Sequence, residues 1–266
     1  FDARRIIIAT GGKAGSFFKN NDEQGYALVS SMGHSINTLR PALTSLKIKD
    51  TDIYDWAGIR LRAGVTVCDD NGNNLSYKAV GEVQLTEYGI SGIPVFEISR
   101  YVTTADESLE NLNVIIDFLP DIDKSEAISL CNNMLNKDLT VVDALSGLFN
   151  PAITNLLIAN AGVMPNQRYS DLSPQDKGMI FDVAEGLAFR VTGYLSFDKA
   201  QVTAGGVDTT ELYYETLESK LYKDVYFAGE VIDVDGNCGG YNLQFAFASA
   251  EVCSRAIIRE FSDDKN

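Results

Sequence analysis

The sequence lacks the residues that most metal sites and acid–base catalysts use. It contains one histidine, His34, and four cysteines that form no C-x-x-C pair and no zinc-binding spacing. Structural zinc and histidine-based acid–base catalysis are therefore not expected, and His34 is interpreted as a loop or helix-end residue. Ser91 has no histidine partner in its sequence pattern, which argues against a hydrolase. Cysteines without such spacing favour free thiols in a reducing cytoplasm.

Long apolar runs and an excess of positive charge are also missing. No stretch of about 18 consecutive apolar residues occurs, so no membrane span is predicted. The formal net charge of −15 opposes binding to nucleic acids and anionic membranes, because their phosphates repel an acidic surface. The acidity is interpreted as a solubility feature. The partner expected for this chain is a small-molecule substrate.

A third absence concerns phosphate binding. The turn G-x-G-x-x-G, which holds the pyrophosphate of a dinucleotide at a helix N-terminus, occurs nowhere in the 266 residues. The sequence does not begin with methionine, and it enters at once an apolar run at residues 6–9 that is typical of a buried strand. We therefore expect that a segment preceding this strand has been lost.

The two ends of the chain share an α/β pattern. Residues 1–38 predict a strand, a glycine turn, a helix that Asp22 caps and Gly33 ends, and a further strand. Residues 196–266 predict a short buried strand at 225–228, a glycine-rich loop and a long helix that is apolar almost all round. We expect the two ends to form one α/β domain.

The middle of the chain, residues 39–195, has a different character. Apolar and polar residues alternate over 59–67, which predicts a half-buried strand with a hairpin partner at 75–80, and the β pattern continues over a β-rich part at 39–118. Within that part, Pro94 is typical of the first turn of a short helix. The period becomes helical over 121–188, where Thr140, Asn150 and Ser173 are typical helix caps. This region is predicted to be a domain inserted between the two ends.

Glycine turns mark three places where backbone can approach a ligand. Gly11-Gly12 and Gly229-Glu230 each follow a short buried strand, and Gly239-Gly240 directly precedes the last helix. A helix start presents free N–H groups to an anion, and a carboxylate such as Glu230 can accept hydrogen bonds from two sugar hydroxyls. Each turn alone is equally typical of an ordinary loop. Their occurrence together favours a ligand site.

Four runs make the sequence resemble a known family. They are IIATGG at 7–12, GEVQLTEYGISG at 81–92, AQVTAGGV at 200–207 and YFAGEVIDVDGNCGGYNLQ at 226–244. In this order they resemble the aminoacetone-oxidase-like family of NAD(P)/FAD-dependent oxidoreductases, to which bile-acid-reductase-like flavoproteins belong. The run at 226–244 is specific, whereas the Thr-Gly-Gly turn is shared with many flavoproteins.

The resemblance implies a partial Rossmann-like FAD/NAD(P)-binding domain, interrupted by a β-barrel-like and helical insert. It implies an enzyme that passes hydride through FAD between a nicotinamide or small organic substrate and an acceptor, with NAD(P)H as an electron donor, and it places Glu230 on a cofactor hydroxyl. No catalytic side chain is assigned, since the flavin performs the chemistry. The residues implied to bind the cofactor are Gly11, Gly12, Thr203, Ala204, Gly205, Gly206, Gly229, Glu230, Gly239, Gly240, Tyr241, Asn242, Leu243 and Gln244.

The chain departs from this family at its start. Relatives begin with a strand, the G-x-G-x-x-G turn and a helix, so the chain resembles their C-terminal two-thirds without the first βαβ unit. We therefore expect the chain alone to carry no FAD and to be inactive, with the Glu230 side chain facing water. The alternative is a non-catalytic binding module that has lost FAD. A fumarate-reductase-like enzyme would need an arginine and histidine cluster, which a single histidine disfavours.

Overall fold

The computed structural model describes residues 2–15, 24–49, 56–105, 109–134 and 138–263. The predicted helix cap Asp22 lies outside these residues. The strands and helices that the structure describes are, in chain order, β1 (Ile6–Ile8), α1 (Gln24–Ser31), β2 (Ile36–Ala42), β3 (Leu46–Lys49), β4 (Arg60–Asp69), β5 (Ala79–Thr86), β6 (Gly89–Ser91), α2 (Ile93–Thr103), β7 (Leu112–Asp117), α3 (Lys124–Asn132), α4 (Val141–Leu145), α5 (Pro151–Asn160), α6 (Pro174–Glu185), β8 (Leu187–Tyr194), β9 (Val202–Val207), β10 (Val225–Phe227) and α7 (Tyr241–Asp263).

The chain divides into two units. One comprises Phe1–Thr44 with Leu195–Asn266, and the other comprises Ser45–Tyr194. The sequence placed the first boundary between residues 38 and 39 and the second between 195 and 196. The first of these is too early, because β2 continues to Ala42 and pairs with β9 of the same unit. Leu195 also belongs to the first unit rather than to the insert.

Two small sheets position the elements of the first unit. β1 pairs with β10 in parallel, with Ile6 opposite Val225 and Ile8 opposite Phe227. β2 pairs with β9 in antiparallel orientation, with a register shift between Asn37 and Arg40. Residues of β1, α1, β9 and β10 and of the loops after β9 and β10 pack into one hydrophobic core. Its buried members are Ile8, Tyr26, Val29, Val207, Leu212, Val225, Phe227, Val231 and Ile232.

Helix α7 buries only one side. Cys253 is fully buried and packs with Tyr226 and Ala228 of the β10 region. The opposite side is exposed, with 69% of Leu243 and 73% of Phe247 accessible. The predicted last helix thus packs against a sheet strand on one side, while apolar residues on its other side are exposed, since β10 has only three residues.

Strands of the second unit form a closed barrel in the order β3-β6-β5-β4-β7-β8. The first residues of β4 alternate between exposed and covered positions, as its sequence predicts, whereas Ala63 to Cys68 are buried on both faces. Helix α2 packs against β4 and β5 and begins at Ile93 with Pro94 in its first turn, which confirms the predicted helix start. The hairpin partner of β4 begins at Ala79, four positions after the predicted Leu75.

Helices α3 to α6 follow local signals closely. Thr140, Asn150 and Ser173 each accept a hydrogen bond from a backbone N–H of the first turn, which confirms all three predicted caps. Their apolar stripes and the barrel interior form one core cluster within the second unit. Of the helices that the structure describes, none has the length and apolar character needed to span a membrane.

Candidate functional site

The glycine turn after β1 and the carboxylate after β10 lie together. Because β1 and β10 are parallel neighbours, their carboxyl ends meet at one edge, where α/β folds bind ligands. Gly12 packs directly against this carboxylate: a Cβ at residue 12 would lie 2.6 Å from Thr203 Oγ1 and closer still to Glu230 Oε1. Only glycine fits here without a shift of its neighbours.

Glu230 is held by the protein itself. It lies in a 3-10 turn after β10 and is half-buried, and its Oε1 accepts a hydrogen bond of 2.7 Å from the backbone N–H of Thr203. Burial raises the pKa of Glu230, and the hydrogen bonds from Thr203 oppose that rise only in part. The expectation that this side chain faces water is wrong, because the amide of β9 captures one carboxylate oxygen.

Thr203 connects β9 to the turn that follows β1. Its Oγ1 accepts hydrogen bonds from the backbone N–H groups of Lys13, at 2.7 Å, and Ala14, at 2.9 Å. Its own N–H is the donor to Glu230. One buried threonine, 1% exposed, thus fixes the positions of the glycine turn and of the carboxylate relative to each other.

The four residues predicted to face the flavin, Thr203 to Gly206, are all buried within β9. A side chain on Gly205 would overlap the carbonyl oxygen of Thr38, and one on Gly206 would lie 2.7 Å from the carbonyl oxygen of Val231. Close backbone packing therefore accounts for both glycines. Their contact with a flavin stays a prediction.

The start of α7 is open. Gly239 and Gly240 adopt φ of +118° and +95°, and a Cβ added at Gly240 would have no atom of the protein within 4 Å. The first N–H groups of a helix have no acceptor within the helix, and the helix dipole makes this end positive. Tyr241 and Leu243 beside it are 65% and 69% exposed. This end can therefore receive an anionic or carbonyl group.

A side-chain clamp shapes the loop before α7. Asn242 Oδ1 accepts from the N–H of Gly236 at 2.8 Å, and its Nδ2 donates to the carbonyl oxygen of the same residue at 2.9 Å. Asp233 accepts from the N–H of Gly205 at 3.0 Å and from Asn37 Nδ2 at 2.8 Å. The amide of Asn242, predicted to bind cofactor, is thus used to hold the loop. Sequence reasoning missed Asp233, since its partners are remote along the chain.

These elements enclose a cleft of about 250 Å³. It brings together five of the predicted residues, namely Glu230, Gly239, Gly240, Asn242 and Leu243. Its other lining residues are Leu43, Gln201, Val202, Cys238 and Ala246. The predicted residues that do not line it are Gly11, Gly12, Thr203, Ala204, Gly205, Gly206, Gly229, Tyr241 and Gln244.

Residues 1–256 match the family model described as HI0933-like protein Rossmann domain. The chain belongs to this family. The Rossmann-like α/β domain that the family resemblance implied is thereby confirmed.

Three curated relatives of this HI0933-like chain show how far the similarity extends. A "3-dehydro-bile acid delta(4,6)-reductase" of Clostridium scindens is 38% identical over 258 residues, which cover 96% of this chain and 62% of the reductase. A "ribosomal RNA dihydrouridine synthase" of Haemophilus influenzae is 29% identical over 263 residues, with 98% and 62% covered. Its Escherichia coli counterpart is 26% identical over 257 residues, with 96% and 60% covered. The chain thus spans about three-fifths of the length of these relatives.

The HI0933-like chain also contains a buried group of three hydrogen-bonded side chains that the sequence did not predict. His34, 3% exposed, lies with Nδ1 2.7 Å from Glu211 Oε2 and Nε2 2.8 Å from Ser219 Oγ. This is the residue order of a serine–histidine–acid triad. Ser219 Oγ, however, accepts hydrogen bonds from the backbone N–H groups of Leu221 and Tyr222. Both acceptor positions of this hydroxyl are filled. The hydrogen bonds among His34, Glu211 and Ser219 therefore stabilise the loop after β9 and do not present Ser219 as a nucleophile.

The side chains that most often hold metals do not cluster in the described part of this HI0933-like chain. Within those residues, no group of three or more histidine, cysteine, aspartate or glutamate side chains could hold a metal ion. The four cysteines are free thiols there, with Cys238 half-exposed at the cleft and the other three buried.

Proposed function

We propose that the natural protein containing this chain is an FAD-dependent oxidoreductase. It passes hydride through the flavin between a nicotinamide or small organic substrate and an acceptor, with NAD(P)H as an electron donor. The observation that supports this best is the cleft at the strand ends of the Rossmann-like unit, where the Glu230 carboxylate and the open start of α7 converge. A reductase among the relatives supports the same reaction class.

The residues present fit part of such a cofactor. A cleft of about 250 Å³ lies just below the roughly 300–1,000 Å³ typical of sites for drug-sized ligands, and FAD is larger than those ligands. Glu230 has acceptor capacity beyond its bond to Thr203, since each carboxylate carries about four lone-pair positions. The open start of α7 offers free N–H groups. These two features suit a cofactor hydroxyl and an anionic or carbonyl edge.

FAD, when bound, supplies the hydride transfer itself. The role of the chain's own residues would be to bind the cofactor and to polarise it. The N–H groups at the start of α7 would hold an anionic or carbonyl edge of a bound flavin and favour negative charge there. The clamp between Asn242 and Gly236 keeps the loop in one position, which pre-organises these donors. Glu230, when ionised, would fix a hydroxyl of the cofactor through a charge-assisted hydrogen bond.

We further propose that the acceptor is an electron-poor carbon–carbon double bond in a small molecule. The relatives' names describe a Δ4,6 reduction of a 3-dehydro-bile acid and the formation of dihydrouridine in ribosomal RNA. Both are additions of hydrogen to a carbon–carbon double bond. The net charge of −15 favours the small molecule over RNA, because an acidic surface repels phosphates.

Cofactor binding is tested by titrating FAD into the natural protein and its Gly240→Val variant, with flavin fluorescence as the readout. The variant places a side chain in the open cleft, so we expect FAD affinity to fall at least about tenfold, or about 1.4 kcal/mol. Gly33→Val is the matched control, since Gly33 has φ of +90° and equal open space but lies outside the cleft. Both variants bear the same backbone strain.

Two outcomes contradict the proposal. Equal loss of FAD affinity in both variants would mean that backbone strain, and not the cleft, controls binding. A natural protein that neither binds FAD nor oxidises NAD(P)H in the presence of a 3-oxo-Δ4 steroid would instead support the alternative, a non-catalytic binding module that has lost FAD.

A further inference from the structure

A second cavity lies among the helices of the second unit. Residues of α3, α4 and α6 and of the 3-10 turn Tyr169–Asp171 enclose about 200 Å³. This volume is several times the roughly 30 Å³ that one water molecule occupies. The lining residues are Cys131, Asn132, Met134, Leu139, Ala144, Tyr169, Ser170 and Lys177. We call this cavity the helical pocket. Nothing in the proposed flavin chemistry uses it.

The hydroxyl of Tyr169 is a buried donor at the helical pocket. The residue is 5% exposed; its hydroxyl makes no hydrogen bond of ordinary geometry among the described residues, and it interacts weakly there with the thiol of Cys131. The neighbouring thiol of Cys131 is a weak acceptor and directs its own S–H to the carbonyl oxygen of Ala144, 3.6 Å away. Burial raises the pKa of Tyr169, so its hydroxyl stays protonated. A buried donor in this state is stabilised by any bound acceptor.

A cation lies over the ring of this tyrosine. Lys177 Nζ lies 4.7 Å from the centre of the Tyr169 ring and donates to Asn132 Oδ1 at 3.0 Å. In the described part of the chain no carboxylate lies within ion-pair distance of it. An ammonium has three N–H donors, so donors remain for a ligand. The hydroxyl of Ser170 is engaged by the exposed Asp171.

The rest of the wall is apolar. Met134 and Leu139 are partly buried members of the surrounding core, and Ala144 is 1% exposed. An inorganic anion would leave this wall without contacts, and a neutral apolar molecule would leave Lys177 and Tyr169 without an acceptor. The combination of a cation, a phenol donor and an apolar wall selects a molecule that has both an anionic and an apolar end.

We propose that the helical pocket is a binding site for a small monocarboxylate with an apolar tail. The carboxylate pairs with Lys177 and accepts the hydrogen bond of the Tyr169 hydroxyl, and the tail packs against Met134, Leu139 and Ala144. This site is independent of the proposed cofactor cleft, since all of its residues belong to the second unit.

Benzoate and benzamide are the test pair, because they share a ring and differ in charge. The natural protein is titrated with each and followed by calorimetry and ligand-observed NMR. We expect benzoate to bind with a dissociation constant of about 1 mM or tighter and benzamide at least about tenfold more weakly. Lys177→Met keeps an aliphatic stem and should weaken benzoate about ten- to a hundredfold. Tyr169→Phe should weaken it several-fold.

Lys220→Met is the matched control. Lys220 also lies over a tyrosine ring, that of Tyr213 at 5.7 Å, and also donates to one neutral oxygen, that of Thr210. Its loss changes the net charge equally and should leave benzoate affinity unchanged. Equal binding of benzoate and benzamide, no binding of benzoate, or unchanged affinity in Lys177→Met would each overturn the proposal. The comparison of benzoate with benzamide needs no variant, so it decides even where Lys177→Met does not fold.

Discussion

At the residue scale, Glu230 combines a structural and a proposed ligand role. One oxygen is bound to the N–H of Thr203, and the carboxylate is half-buried against Gly12. The sequence showed that a carboxylate follows β10, since the strand and its glycine turn are local signals. It did not show that β9 supplies the first partner, because Thr203 lies 27 residues earlier.

Glu230→Gln should make the stability of the natural protein less dependent on pH. Burial raises the pKa of Glu230 above its ordinary value of 4.5, so the folded state keeps this proton to a higher pH than the unfolded chain does. Below pH 4.5 Glu230 is protonated in both states, and its burial then has no effect on stability through ionisation. As the pH rises from 4.5 through the raised pKa of Glu230 in the folded protein, the wild type becomes less stable relative to the glutamine variant. Urea unfolding at pH 4 to 8 measures this difference. The exposed Glu251→Gln is the control, and a difference that shrinks with rising pH would contradict the expectation.

Ser219→Ala should destabilise the fold. It should not change the rate of ester hydrolysis, because Ser219 is not a nucleophile. The alanine leaves the buried ring of His34 and the part-buried N–H groups of Leu221 and Tyr222 without their shared partner. An unsatisfied buried group costs about 1–3 kcal/mol, and the part-buried N–H groups cost less because water can reach them. Ser170→Ala, at an exposed hydroxyl, should cost less than about 0.5 kcal/mol. Chemical denaturation compares the two. Labelling of Ser219 by a fluorophosphonate would show a nucleophile and refute the structural role.

At the element scale, what could be predicted depended on how local the signal is. The caps Thr140 and Ser173 and the start of α2 at Pro94 were read correctly, because each is specified within one helical turn. The end of β2 was misplaced, because its pairing partner is β9, far along the chain. In the candidate site the glycine turns and Glu230 were found from strand-then-glycine patterns. The clamp by Asn242 and the contacts of Thr203 depend on tertiary proximity and left no sequence signal.

Thr203→Val should loosen the connection between β9 and the turn after β1. Valine has nearly the same shape but cannot accept from the N–H groups of Lys13 and Ala14. Two donors lose their acceptor, and we expect the free energy of unfolding to fall by about 1–3 kcal/mol. Thr203→Ser keeps the hydroxyl and should recover most of that loss. If serine and valine destabilise equally, packing of the threonine methyl, and not the hydroxyl, is the stabilising contribution.

At the scale of the whole molecule, the two units differ in how they are built. The second unit has a closed barrel, and its large core cluster contains no residue of the first unit. The first unit has two two-stranded sheets, and Ile6 and Ile7 of β1 remain 51% and 43% exposed. Parallel strands are normally covered on both faces, so a two-stranded parallel sheet supplies little stability of its own.

This difference predicts that residues 45–194 fold when expressed alone. A continuous core, a barrel without free edges and capped helices satisfy what an independent domain of about 150 residues needs. We expect a single cooperative thermal transition in circular dichroism and a dispersed amide spectrum in NMR. The matched comparison is residues 1–44 joined to 195–266 by a short glycine–serine linker, which should melt at lower temperature and with less cooperativity. A non-cooperative transition for residues 45–194 would mean that the division at Thr44 and Tyr194 is geometric only, and that the barrel depends on the first unit for its stability.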